Sequence, residues 1–299
     1  MNNTRRIKRK LKKIYKPPID NLYSYRFYSD LFSGYEFSLN EDKLSRRDFY
    51  KIIPNDNEIV GLFRNKIHYD FSYEFGQNID RVLYSLAVYG KAYIFIKPEY
   101  DEQTGENGRS DKKLSVIHIG EVKGIPKKNK FYFKTFSNEI SELNINEGTL
   151  ITFKLSEFGY KRNYFKKLIK RLGKFDATTN SLELINNEPA YDFSVHVEKN
   201  RKRFLREVRN IGWSFGTEGL SDSYILYKEI HMKLFKMQML QIVLKKINHV
   251  ISTEYIPDRE FKIVASTSNI DYEEVWAKFQ CGELTVSELS NIVWKGITV

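Results

Sequence analysis

The sequence predicts an α+β protein, and three observations carry that expectation. A helix-period apolar stripe over Glu74–Tyr89 ends at Gly90 and runs into Ala92-Tyr93-Ile94-Phe95-Ile96, a β-branched and aromatic strand pattern. Further strand-like runs at Leu114–Ile119, Lys130–Phe136 and Thr149–Leu155 suggest a mostly antiparallel meander. After Gly159 the pattern turns helical for most of the remaining chain. With 299 residues, 41% of them hydrophobic, the chain can build a sizeable core as one large or two ordinary domains.

Residues 1–18 read as a basic flexible tail closed by Pro17-Pro18, which blocks helix continuation. Residues 19–158 form an α+β region, with short helices expected around Ser45–Ile52 and Glu58–Lys66 before the Glu74–Tyr89 helix. Asp101–Lys113 is polar and rich in turn residues, and so reads as a hairpin loop. In residues 159–211 two basic helices are expected, Lys161–Phe175 and Glu198–Asn210, with a short extended piece at Phe193–Val197 before the second. Residues 212–251 hold a glycine-bearing loop, Gly212–Ser221, and a long helix, Ser223–Ile251, that spans roughly 43 Å at about 1.5 Å per residue. Residues 252–299 close the chain with a strand at Glu260–Ala265 and short helices at Asp271–Gln280 and Thr285–Trp294. Thr285 and Glu288 have the spacing of a capping box.

The formal charge of +11 is unevenly spread. Residues 1–16 contribute +8, leaving +3 for the other 283. In the tail, Arg5, Arg6, Lys8, Arg9 and Lys10 are candidate phosphate contacts, because flexible cations neutralise phosphate and release counterions; a solvated arm is the equally weighted alternative. The helix beginning at Lys161 carries Lys161, Arg162, Lys166, Lys167, Lys170, Arg171 and Lys174 without an acid until Asp176. Such like charges repel by a few tenths of a kcal/mol per close pair, so a face of this kind persists more readily beside an anion. Aromatic residues reach 15%, but Lys, Asn and Ile are abundant too, as in an AT-rich coding sequence, so the aromatics do not by themselves indicate base stacking.

Enzymatic chemistry finds little support. No GxxxxGK[ST] phosphate loop is present, and His68, His118, His196, His231 and His249 form neither HExxH nor HxH. No histidine has an arginine three residues on, which a tyrosine recombinase would need. Cys281 stands alone and reads as a buried or partly buried structural thiol in a reducing compartment. No catalytic residue, metal or cofactor is therefore expected. The longest charge-free stretch, Val82–Gly90, is far short of the about 20 apolar residues of a membrane span, so no membrane partner is expected either.

Several segments, in their order along the chain, resemble the portal (head-tail connector) proteins of tailed bacteriophages. The run LYSLAVYGKAYIFI at Leu83–Ile96 is similar to the portal helix–Gly–strand segment with its YGNAY-like turn. INEGTLITFK at Ile145–Lys154 is similar to the strand that enters the portal stem. Ser223–Ile251 resembles the long portal helix, and FQCGELTVSELSNIV at Phe279–Val293 resembles a GxLTxNExR ending, with Ser287 in place of Asn and no arginine.

The resemblance implies a portal-like α+β architecture: a wing of helix and antiparallel strands, two basic stem helices, a clip at about Asn186–Lys199, one long helix and short C-terminal helices. A crown beyond Val299 would be minimal or absent. It also implies a homo-oligomeric ring, a dodecamer in this family, forming the channel at one capsid vertex for DNA packaging and ejection. Its partners would be double-stranded DNA met without sequence preference, the major capsid protein, the terminase and the tail adaptor. The protein would reside in the virion after assembly in the host cytoplasm. Gly212–Ser221 would be the tunnel loop, with Trp213, Phe215, Gly216 and Gly219 as candidates for channel contacts; anchoring of the aromatics in a neighbouring subunit is the alternative. The competing functional readings are a sequence-tolerant DNA-binding replication or accessory protein, and another connector component without a channel.

Overall fold

In the computed structural model, the structure describes residues 2–15, 21–32, 49–63, 71–104, 110–135, 139–179, 193–213, 220–265 and 270–295. Over these residues the chain is α+β, and all of its strand pairings are antiparallel.

The core forms around α4 (Phe71–Tyr89), whose predicted stripe is buried: Phe75, Ile79, Val82, Leu83, Leu86 and Ala87. Among the described residues three helices precede it, α1 (Asn2–Ile14), α2 (Leu22–Phe32) and the short α3 (Asn57–Gly61). Gly90 ends α4 with φ +71°, and a Cβ there would overlap the backbone of Arg162. That close approach, together with the Leu155 N–H donating to the Gly90 carbonyl at 3.1 Å, fixes how helix, sheet and the later basic segment meet.

From Gly90 the chain enters β2 (Lys91–Thr104), which pairs on one side with β3 (Ser110–Glu121) and on the other with β7 (Thr149–Lys154). The hairpin arm is longer than the sequence suggested, because pairing continues through Asp101–Thr104 against Ser110–Lys113 instead of opening into a loop. Asn78 pins α4 to this sheet: its amide donates to the Ile119 carbonyl at 3.1 Å, and its side-chain oxygen accepts from the Glu121 N–H at 3.0 Å. A second sheet packs β4 (Gly124–Lys127), β5 (Lys130–Lys134) and β6 (Ile140–Asn144) in that order. Only β5 of these three was expected.

The supposed tail behaves differently from a free arm. Asn2–Ile14 is a helix, α1, and it docks on β4 and β5 through buried Ile7 and Leu11. Tyr15 locks its end, donating to the Lys123 carbonyl at 2.6 Å and accepting from the Lys134 N–H at 3.1 Å. The end of the expected Ser45–Ile52 helix is likewise strand: β1 (Tyr50–Ile53) pairs with β8 (Lys262–Ala265), a partner more than two hundred residues away.

Two further helices, α5 (Tyr164–Thr179) and α6 (Phe193–Val208), pack against each other. α6 already begins at Phe193, where an extended piece was expected; the β-branched FSVHV run is recruited into the helix that follows. The long helix is α7 (Asp222–Glu254), 33 residues and about 50 Å. Ser221 caps it, and Leu226, Ile230, Met237, Leu240, Leu244, Ile247 and Ile251 are buried as the stripe requires, while Leu234 is half-buried.

α7 is the spine. Asn248 bonds Ile263 of β8 in both directions, at 2.8 and 2.7 Å, as a strand neighbour would. Lys246 donates to the Thr152 carbonyl of β7 at 2.6 Å and pairs with Glu157 at 2.9 Å. Toward the other end, Lys233 donates to the Val293 carbonyl at 2.7 Å and so holds the C-terminal helices α8 (Tyr272–Gln280) and α9 (Val286–Lys295). Both helices are capped as their sequences predict: Asp271 accepts from the N–H groups of Glu273 and Glu274, and Thr285 exchanges bonds with Glu288. Cys281, the C-cap of α8 in the turn that Gly282 makes at φ +76°, is exposed, so the expected burial does not hold: the turn packs nothing over the thiol.

Candidate nucleic-acid interface

The basic hairpin of α5 and α6 is built by an apolar face that leaves its cations nowhere to go but outward. Phe165, Leu168, Ile169 and Leu172 of α5 are fully buried. Phe165 lies edge-on to Phe32 of α2 at 4.9 Å and to Phe235 of α7 at 6.0 Å. With that face committed, Lys166, Lys167, Lys170 and Arg171 project into solvent along the opposite side. Lys161 and Arg162 belong to the turn ahead of the helix and are also exposed. The side chain of Lys174 lies outside the described residues.

On α6, Phe204 and Val208 face inward, while Lys199, Lys202, Arg203 and Arg206 are exposed. Arg171 reaches Glu207 at 2.9 Å, which joins the two helices on their outer sides. Glu198 takes up Arg201 at 3.0 Å and Lys202 at 3.6 Å. Exposed pairs of this kind contribute about 0–1 kcal/mol each and leave the surface strongly positive. Lys161, Lys166, Lys167 and Lys170 take part in no ion pair among the described residues.

The cations described on α5 and in the turn ahead of it therefore do not act as one group. Arg162 diverges from the row: it lines a cavity between the sheet and α1, close enough to Tyr93 for its charge to offset part of the rise that burial causes in the tyrosine's pKa. The tail candidates Arg5, Arg6, Lys8, Arg9 and Lys10 are exposed on α1, on a folded face and not on a free arm.

The loop candidates separate as well. Gly212, at φ +67°, lets the turn lie against the α7 backbone, where a Cβ would meet Lys228 and Met232. Trp213 is fully buried rather than available to DNA: its indole N–H donates to Asp30 at 2.9 Å, and its ring packs on Phe27 and Phe204. It anchors the turn at Gly212 within its own chain. Phe215, Gly216 and Gly219 lie outside the described residues, as does the first half of the expected clip, while its second half, 193–199, is the start of α6.

The histidines show no clustering among the described residues. His118 meets Glu99 at 3.1 Å on the exposed side of the sheet, His231 packs between Tyr227 and Trp276, and His249 is exposed. No group of three metal-ligating side chains occurs among the described residues, and no helix there is long and apolar enough to cross a membrane. What the sequence reading missed is the second cationic surface, where α1 meets Lys123, Lys127 and Lys134 around β4 and β5. The Ile7, Leu11, Ile14 spacing, one helical face, was the available signal. No protein-family model, curated protein or solved structure matches the chain.

Proposed function

We propose that this chain is the subunit of a phage portal, a closed ring through which double-stranded DNA is packaged and ejected. One observation carries the reading: the order and joining of the elements. A helix ends at a glycine and enters a small antiparallel sheet region, two packed basic helices follow, then a turn at Gly212 held by Trp213, then a 33-residue helix that ties the parts together. In this reading α5 and α6 are the stem, the sheets are the wing, and α7 is the long helix behind the channel wall.

The physical demands of a channel agree with the charges. DNA must slide, so contacts have to be weak, numerous and blind to sequence, which exposed lysines meeting phosphates supply. Lys166, Lys167 and Lys170, which pair with no acid among the described residues, are the residues for that track. The ring subunit needs no catalytic group of its own, and the terminase, capsid protein and tail adaptor are the partners that the reading supplies.

The test is duplex binding over a series of salt concentrations. Affinity should be modest and fall with a log–log slope of about −0.9 per phosphate contacted. Replacing Lys166, Lys170 and Lys174 with Gln should reduce that slope by up to about three, with no change in base preference. A chain that prefers one sequence at salt levels where scrambled duplex no longer binds is a replication-type binder and not a portal.

A further inference from the structure

A cavity of about 410 Å³ lies where α1 closes over the junction of α4, β2, β3 and β4. That volume is within the about 300–1,000 Å³ of small-molecule sites and far too small for a duplex. Five cations converge on it from four separate parts of the chain: Lys10 and Lys13 from α1, Lys91 from the start of β2, Lys123 from the β3–β4 connection and Arg162 from the turn before α5. None of the five is in an ion pair among the described residues.

Among the described residues the wall holds one acid, Glu121, a single carboxyl against five cations. It accepts a hydrogen bond from the buried Ser85 hydroxyl at 3.0 Å, and burial pushes its carboxyl above the ordinary range, with Ser85, Lys123 and Arg81 pulling the other way. The rest of the lining is apolar or aromatic. Tyr89 and Tyr93 contribute rings, and Lys123 stands over the Tyr89 ring with its ammonium 4.7 Å from the centroid.

A concave site with aromatic walls and an excess of mobile cations suits a flat ring joined to a compact, multiply charged anion. We propose that this cavity binds a nucleoside phosphate, either as a free nucleotide or as the 5′ end of a nucleic-acid strand. The phosphates would meet Lys13, Lys91 and Arg162, while the base lies against Tyr89 or Tyr93. Arg162 offers the planar two-pronged geometry that phosphate oxygens favour. The site is complete within one chain, so it depends on neither ring assembly nor the stem track.

Titration calorimetry on the full chain at low salt tests it, with ATP, inorganic triphosphate and a 5′-phosphorylated single-stranded oligonucleotide as probes. ATP or the oligonucleotide should bind, and whichever binds more tightly identifies the source of the phosphate. Lys91→Gln with Arg162→Gln should weaken that binding by about tenfold or more, as expected on losing charge-assisted contacts. Lys245→Gln with Lys262→Gln, exposed and remote from the cavity, should leave it unchanged. Should the first double variant fail to fold, Lys13→Gln on the exposed rim of α1 gives the same reading with a smaller loss. Absence of heat with both ATP and the oligonucleotide would overturn the proposal. So would equal weakening by the remote pair, or triphosphate binding as tightly as ATP, which would leave the aromatic wall without a role.

Discussion

α1 and α5 have much the same look in sequence, short amphipathic helices dominated by Lys and Arg, but the chain holds them in different ways. α5 commits four fully buried side chains, Phe165, Leu168, Ile169 and Leu172, to the central core. α1 docks on a peripheral sheet through Ile7 and Leu11, with Tyr15 as a latch. The consequence for the cations follows from the packing. Those of α5 row along a free surface, whereas Lys10 and Lys13 of α1 face a cavity shared with three other parts of the chain. Charge count therefore says little about what a basic segment does; the number and depth of its apolar anchors decide whether it is wall, lid or tail.

The sharpest way to break the comparison is at Phe165. Replacing Phe165 with Ala should cost about 3–5 kcal/mol and destabilise the whole fold, seen as a lowered midpoint in denaturant with an unchanged slope. A loss confined to the α5–α6 hairpin would mean that α5 is as peripheral as α1.

Gly90 comes next, because it joins α5's approach to the sheet. Gly90→Ala forces a side chain into a positive-φ backbone and against the Arg162 carbonyl, and should cost at least about 2 kcal/mol by thermal denaturation. An unperturbed melting curve would show that the junction is loose.

Leu11→Ala should cost about 2 kcal/mol, but locally. Amide exchange across Asn2–Ile14 should accelerate while α5 keeps its protection. Global unfolding would place α1 in the same class as α5. Deleting residues 1–16 should likewise uncover β4 and β5 while the α4–α7 core persists.

The effect confined to alkaline pH concerns the floor beneath α5, where Lys236 of α7 is buried beside Phe235. Burial lowers its pKa to about 8, against the pull of Asp30, Asp80 and Glu229 and with some help from Lys233. Between 8 and the ordinary 10.5 the unfolded chain binds more protons than the folded one, so stability rises with pH across that window and is depressed below it. Lys236→Met should remove that rise, a slope of up to about 1.4 kcal/mol per pH unit. Parallel stability–pH curves for the two proteins would show that Lys236 titrates normally.

Much of the fold was legible where local pattern and tertiary packing agree. The α4, α5 and α7 stripes are buried nearly as their spacing required, and the Thr285–Glu288 box forms as read. The failures share a cause: structure decided by distant partners. β1 is a strand because β8 lies beside it, and β4 and β6 are short, lysine- or glutamate-bearing segments that pair only because β5 runs between them. FSVHV has strand propensity and yet joins α6, and Trp213, expected either at the channel or in a neighbouring subunit, found Asp30 and Phe27 from the distant α2 of its own chain. At the candidate site, the outward row of α5 could be read from spacing alone. The cavity could not, since its five cations span Lys10 to Arg162 and meet only in the fold.

The comparison of the two helices leads back to the proposed ring, in which α5 faces the bore and α1 sits on the periphery. Negative-stain electron microscopy of the purified full chain tests that directly. The portal reading predicts closed rings of about twelve subunits with a central channel, a cyclic assembly of identical interfaces. Isolated monomers or dimers at every concentration imaged would contradict it.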